Sequence, residues 1–191
     1  MKHCDSELHV RGESAFVDDV EPPVNLLHGA VFASPVAHGK ITGLDTQAAM
    51  LVPGVVCVLT HRDIPGNCNI GAVVQNEPVF ASDEVMDQGQ PIALVVATSK
   101  SIARRAAALV AVSIDLLDVV TCPREAAAQG HVFAPARTFS KGDVHTAWAD
   151  CSTVVAGQVD LGGQEHVYLE THRARAIPAE DGQISLYVST Q

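Results

Sequence analysis

The apolar residues of this 191-residue chain fall into short runs separated by polar and turn-forming stretches, and the runs change character along the chain. His28 to Ser34 is small and apolar and predicts a strand. Lys40 to Leu44 alternates polar and apolar residues, the pattern of a strand with one exposed face. Asp45-Thr46 opens a short helix through Ala48, Ala49, Met50 and Leu51, and Pro53-Gly54 ends it. The β-branched run Val55 to Thr60 predicts a buried strand. Arg62 to Asn76 carries Pro65, two glycines and three asparagines, the composition of a loop. Val79 to Val85 and Pro91 to Thr98 predict two strands around Asp87-Gln88-Gly89-Gln90. There Gly89 can turn through positive φ and Pro91 can start a strand. Ser99 caps a helix to about Leu109, with Ile102, Ala103, Ala106, Leu109 and Val110 at helical spacing. Val110 to Leu116 follows as a strand.

Beyond this point the pattern loosens. Thr121 to Lys141 holds Pro123, Gly130, Pro135 and one short Ala-rich helix, and reads as a linker. Gly142-Asp143 opens a helix through Trp148. After Cys151 the runs lengthen into predicted strands Val154 to Leu161, Gln164 to Pro178 and Ile184 to Thr190, with Asp181-Gly182 as a hairpin turn. The chain is therefore expected to be α+β: a mixed first part over 9–120, a linker over 121–145, and the β-rich opening of a second part over 146–191. No internal repeat is visible.

Composition narrows the function classes. The chain is 47% hydrophobic and 18% charged, the balance of a globular protein rather than a disordered one. Twelve basic against 22 acidic residues leave a net charge of -10, and Arg104-Arg105 is the one tight basic pair in a periodic segment. That excludes a nucleic-acid backbone as partner, because no cluster of cations is present to replace its counterions. The five cysteines form no CxxC unit and are odd in number, so neither a zinc site nor a closed disulfide framework follows. The opening residues carry no apolar secretory segment, and the longest apolar run, Ile92 to Thr98, is too short for a bilayer. The expectation is a cytoplasmic protein with no membrane partner.

Chemistry-bearing residues concentrate at Gly162-Gly163-Gln164-Glu165-His166-Val167-Tyr168-Leu169-Glu170-Thr171-His172. In a strand, His166, Tyr168, Glu170 and His172 share one face, and Glu165, Val167, Leu169 and Thr171 the other. Two imidazoles, a phenol and a carboxylate suit acid–base work or metal binding; a solvated face or a polar contact network suits them as well. Asp18-Asp19 would point to opposite faces of a strand and is expected at a turn. No phosphate-binding loop, HExxH or G-x-S-x-G motif occurs.

Several of these segments together resemble one family. Gly12-Glu13-Ser14-Ala15-Phe16-Val17-Asp18-Asp19 is similar to the G-x-A-x-Y-x-D-D stretch of the large, molybdopterin-binding subunit of xanthine dehydrogenases and aldehyde oxidases. Leu27-His28-Gly29-Ala30, Pro53-Gly54-Val55, Gly89-Gln90-Pro91-Ile92-Ala93 and Lys141-Gly142-Asp143-Val144 continue the series in order. The string from Gly162 to Thr171 and the final Val188-Ser189-Thr190-Gln191 complete it. The Gly162 to Thr171 string favours the xanthine dehydrogenase branch. Phe16 stands for the usual Tyr and Val167 for the usual Phe, and Val112 to Asp118 lacks the family's Tyr and Pro.

The resemblance implies an α/β-hammerhead domain followed by the start of a molybdopterin-binding domain. It implies a molybdenum–pyranopterin cofactor, and [2Fe–2S] centres and FAD on a partner subunit or an earlier part of the same chain, hence a hetero-oligomer. The implied reaction is hydroxylation of a purine, hypoxanthine or xanthine to urate, with oxygen from water and electrons passed to NAD. Of this sequence only Gln191 matches a residue of the molybdenum site, a glutamine whose amide hydrogen-bonds the apical oxo ligand. No catalytic residue is assigned: the family's G-G-G-F-G-G-K-E segment, substrate arginine and base glutamate match positions C-terminal to Gln191. The resemblance places Met1 near the start of a separate large subunit, and the 191 residues alone are expected to be inactive. Two other functions stand beside it: a non-catalytic module for subunit contact, and a hydroxylase of an aldehyde or another heterocycle.

Overall fold

In the computed structural model, which describes residues 5–190, helix α1 spans Ser6–Arg11, β1 His28–Ala33, β2 Gly39–Asp45, α2 Gln47–Met50 and β3 Val55–Thr60. Then come β4 (Glu84–Val85), β5 (Pro91–Ala97), α3 (Lys100–Ala107), β6 (Ala111–Leu116), α4 (Pro123–Ala128), α5 (Val144–Ala149), β7 (Ala174–Pro178) and β8 (Ile184–Val188). They belong to two units: residues 24–138, and the segments up to 23 and from 139.

In the first unit β5 lies between β1 and β3, antiparallel to both. The reason is its composition. Ile92, Ala93, Val95 and Ala97 are fully buried, so this strand needs cover on both faces, and a central place supplies it. Helix α3 packs on the sheet through Ala103, Ala106 and Ala107. These small side chains let the helix backbone come close. Ala106 and Ala107 join Ala49, Val95 and Val110 in one core, with Ala30, Phe32, Val55 and Val58 packed against it. Ser99 begins the helix: its Oγ accepts from the N–H of Ile102 at 3.3 Å.

The second sheet has the order β4-β2-β6. Lys40 stands opposite Glu84 on one side and Asp115 on the other, a cation between two cross-strand carboxylates. Ala81, Val85 and Ile92 form a further core with Ile41, Val112 and Ile114 against it. Gly39 has no alternative at the start of β2. A Cβ there would lie 2.8 Å from the backbone oxygen of Asp115 and would collide with Ile114.

The predicted elements from residue 28 to 116 are present, except that Val79 to Asp83 is not strand. Phe80 and Ala81 are buried, yet the segment runs as a loop held by Val79 N–H to Cys68 O at 2.7 Å and Ala81 N–H to Pro91 O at 2.8 Å. Its apolar character marks burial, not sheet pairing. The Gly89 turn is as expected, with φ 94° and its N–H donating to Ser34 O at 2.9 Å.

In the other unit, Asp143 caps α5. Its carboxylate accepts from Thr146 Oγ1 at 2.8 Å and from the N–H groups of His145 and Thr146 at 3.0 and 3.1 Å. Those bonds, the Thr146 hydroxyl first, hold its carboxyl below the usual range. β7 and β8 form an antiparallel hairpin through Asp181 and Gly182, both at positive φ (55° and 73°). The predicted strand 154–161 is absent, and of the predicted strand 164–178 only β7 forms: residues 154–173 have no regular structure and are almost wholly exposed. An alternating pattern offers a face, but a strand also needs a neighbour along its length, and among the described residues the backbone bond to a neighbouring segment is the one from Ser189 N–H to Arg173 O, at the end of the stretch.

Candidate functional site

Ser189 brings the polar residues of the later unit together. Its Oγ accepts from the N–H of Arg173 at 2.7 Å and donates to Thr171 O at 2.9 Å, and its own N–H donates to Arg173 O at 3.0 Å. These bonds lay the segment before β7 beside the end of β8. Between them lies an open cavity of about 600 Å³, lined by His166, Tyr168, Glu170, His172, Val188, Ser189 and Thr190.

The four residues expected on one strand face thus do share a surface, but by another route. The rings of Tyr168 and His172 stack with centroids 5.2 Å apart and planes 12° apart. Residues four apart in a strand are separated by roughly 13 Å, so the segment must curl. The chain bends at Leu169 and Glu170; just before the two rings, Val167 is at φ 52°, a left-handed conformation that costs a β-branched residue on the order of 1–2 kcal/mol.

The other side of this segment meets residues 16–19. A smaller cavity of about 180 Å³ is lined by Phe16, Asp18, Asp19, Leu169, Glu170, Thr171 and Arg173. Asp18 and Asp19 sit at a turn, as expected, and do separate things. Asp18 pairs with Arg173 at 3.0 Å, while Asp19 accepts from the N–H of Phe16 at 2.9 Å. Glu170 accepts from the N–H of Val17 at 2.8 Å. Arg173 and Arg175, which sequence reasoning passed over, are bonded to this N-terminal segment; each looks in sequence like an ordinary charge on an exposed strand. Gln191, the residue matched to the molybdenum site, lies outside the described residues.

Among the described residues no three His, Cys, Asp or Glu side chains are grouped so as to hold a metal ion. The cavity instead offers hydrogen-bonding groups: two imidazoles, a phenol, a carboxylate and two hydroxyls. No helix of the described residues is long and apolar enough to cross a membrane.

Comparison with known proteins places this arrangement. Residues 11–118 match the aldehyde oxidase and xanthine dehydrogenase a/b hammerhead domain. The chain belongs to the aldehyde oxidase and xanthine dehydrogenase family. Residues 125–191, which contain the cavity, match the molybdopterin cofactor-binding domain. The mouse (Mus musculus) xanthine dehydrogenase/oxidase is 38% identical over 192 aligned positions, covering 100% of this chain and 14% of the relative. Aldehyde oxidase 2 of Rattus norvegicus is 35% identical over 193 positions, again with 14% of its length covered. The aldehyde oxidoreductase of Desulfovibrio gigas superposes with a TM-score of 0.86 at 28% identity, over 98% of this chain and 23% of that one. Quinoline 2-oxidoreductase of Pseudomonas putida 86 gives 0.80 at 26% identity, over 100% of this chain and 26% of that one. The chain therefore spans about one seventh of the curated relatives it matches. The α+β fold, hammerhead first, is that of the family.

Proposed function

We propose that this chain is part of the large subunit of a molybdenum hydroxylase of the xanthine dehydrogenase type, oxidising a purine with oxygen from water. The observation that carries the reading is the match of residues 125–191 to the molybdopterin cofactor-binding domain, over the stretch that forms the polar cavity. The residues present fit such a group. A metal that brings sulfur ligands on its own pterin needs hydrogen-bonding neighbours rather than a cluster of protein ligands. Ser189, Thr190, Glu170 and the two imidazoles are such neighbours. They would form one wall of its site, and the amide of Gln191 would donate a hydrogen bond to the apical oxo ligand. The cofactor supplies the hydroxylation chemistry and accepts the electrons; [2Fe–2S] centres and FAD on a partner subunit or domain would carry them to NAD. The assembly would be a cytoplasmic hetero-oligomer.

The purine is preferred to an aldehyde because xanthine dehydrogenases from mouse and chicken (Gallus gallus), at 38% and 36% identity, align over the whole chain. Aldehyde oxidase 2 at 35% keeps the aldehyde as the second reading.

The test is expression of the complete subunit that carries these residues, together with its iron–sulfur and flavin partner. Stoichiometric molybdenum and urate formation from xanthine are expected. A folded subunit without molybdenum would remove the reading, and oxidation of aldehydes but not purines would replace it with the second one. The 191 residues expressed alone are expected to bind no molybdenum and hydroxylate no purine, because the glycine-rich segment, substrate arginine and base glutamate that the resemblance implies have no match among them.

A further inference from the structure

The backbone of one residue joins two charged side chains of the later unit. The N–H of Val17 donates to Oε1 of Glu170 at 2.8 Å, and the carbonyl of Val17 accepts from Nη2 of Arg175 at 3.0 Å. The same guanidinium donates to the carbonyls of Val20 at 2.9 Å and Glu21 at 3.3 Å. Arg173 adds its ion pair to Asp18. Residues 16–21 are thus a strap, fastened to the segment that runs from the cavity wall into β7.

Three carbonyls on one side chain is a task for arginine. Its planar fork holds five N–H donors in fixed directions, whereas an ammonium is a compact charge with three. The carbonyls it gathers come from an irregular loop whose backbone groups have few other partners. Fixing Val17 O restricts the two backbone torsions of Val17, and so the direction in which its N–H points. That N–H meets a carboxylate, and a bond to an ionised acceptor is among the stronger and more directional kinds. Glu170 lines the larger cavity beside Tyr168 and His172. With Oε1 committed to Val17, Oε2 is left to accept from an N–H of whatever occupies that cavity.

We propose that Arg175 is a positioning residue for Glu170: it holds the strap whose Val17 N–H orients the carboxylate in the cavity wall. Any effect on turnover rests on reading that cavity as one wall of the cofactor site; the relay from Arg175 through Val17 to Glu170 does not.

The relay is tested by amide hydrogen exchange at Val17 in the 191-residue chain. Arg175→Ala and Glu170→Gln should each speed exchange by about tenfold, the order expected for a bond to a charged group. The double substitution should do no more than the larger single one, since both break one relay. Arg175→Lys should restore part of the protection, and the Val95 amide in the other unit should not change. The proposal is overturned if Val17 exchanges as slowly in Arg175→Ala as in wild type, if it is unprotected in wild type, or if the two effects multiply.

In the complete hydroxylase, at equal molybdenum content, Arg175→Ala and Glu170→Ala should lower kcat in the same direction and by similar factors, with KM changed less. A loss confined to Glu170→Ala would overturn the positioning role. A complete wild-type subunit without molybdenum would sink the functional reading alone, and the exchange result would still decide the relay.

Discussion

Nε2 of His38 lies 2.8 Å from Oε1 of Glu84, and its Nδ1 lies 2.6 Å from the carbonyl oxygen of Asp118. Both partners are acceptors, so both ring nitrogens donate only when the ring is an imidazolium. The bond to the Asp118 carbonyl, then that to Glu84, raises the His38 pKa above its ordinary 6.5, and partial burial opposes this without cancelling it. The Asp118 carboxylate adds to the same effect, and Lys40 stands opposite Glu84 in the neighbouring register. A histidine whose folded pKa is raised stabilises the fold fully below its unfolded value of 6.5 and loses that contribution as pH rises through the folded value. Thermal unfolding of wild type and His38→Gln should therefore differ most between about pH 5 and 6.5, above the ordinary carboxylate range. The difference should shrink as pH rises further. A gap that stays constant through that rise would contradict the imidazolium.

Gly39→Ala should destabilise the first unit by about 1–3 kcal/mol, the usual cost of forcing extra volume into a packed site. The added Cβ has backbone on one side, Asp115 O at 2.8 Å, so a side-chain shift alone cannot relieve it. Gly12→Ala should not repeat the collision, because nothing lies within 4 Å of a Cβ there; its φ of 71° leaves only conformational strain. Denaturant unfolding of the two variants separates overpacking from strain.

Limited proteolysis should cut first between residues 151 and 169, where the chain is exposed throughout and lacks regular structure. The sheet and helix of residues 24–116, with cores around Val95 and Ile92, should persist as a resistant fragment. Mass spectrometry of the early products checks this. Early cleavage inside β5 with residues 151–169 intact would be the opposite result.

Gln191→Ala in the complete enzyme should slow the chemical step by about tenfold to a hundredfold, the loss of one charge-assisted hydrogen bond of roughly 1.5–3 kcal/mol. Substrate affinity should change less, since the donor is proposed to act where charge develops. Molybdenum content is measured first, and reduction of the metal by substrate is then followed in a single turnover. An unchanged rate at full occupancy would leave Gln191 a structural residue.

The first unit was legible because its strands are β-branched or apolar runs bounded by Pro, Gly and polar turns, and because α3 carries both a cap and a helical stripe. Local chemistry suffices for such elements. Val79 to Asp83 was misread because burial and strand pairing leave the same apolar trace. The later unit was legible only in part. Alternation correctly grouped His166, Tyr168, Glu170 and His172 around one cavity. It said nothing of the bend at Leu169 and Glu170 or of the left-handed Val167, which no residue type announces. Arg175 was illegible for a different reason: its partners are backbone carbonyls more than 150 positions away in sequence, and a carbonyl has no side-chain signature.

The placement of β5 also sets an order of events during synthesis. β1 and β3 pair with β5, which is made after both. At roughly 5–20 residues per second, the ribosome needs a few seconds to go from the end of β3 to the end of β5. For that interval two strand segments have emerged or are emerging with the strand they flank still unmade. The exposed amides of His28–Ala33 and Val55–Thr60 are then open to any other nascent chain. Closure of the sheet is a single late event, set by the arrival of Pro91–Ala97. Slow codons between residues 61 and 90 would lengthen the window, and crowded polysomes would make it more costly.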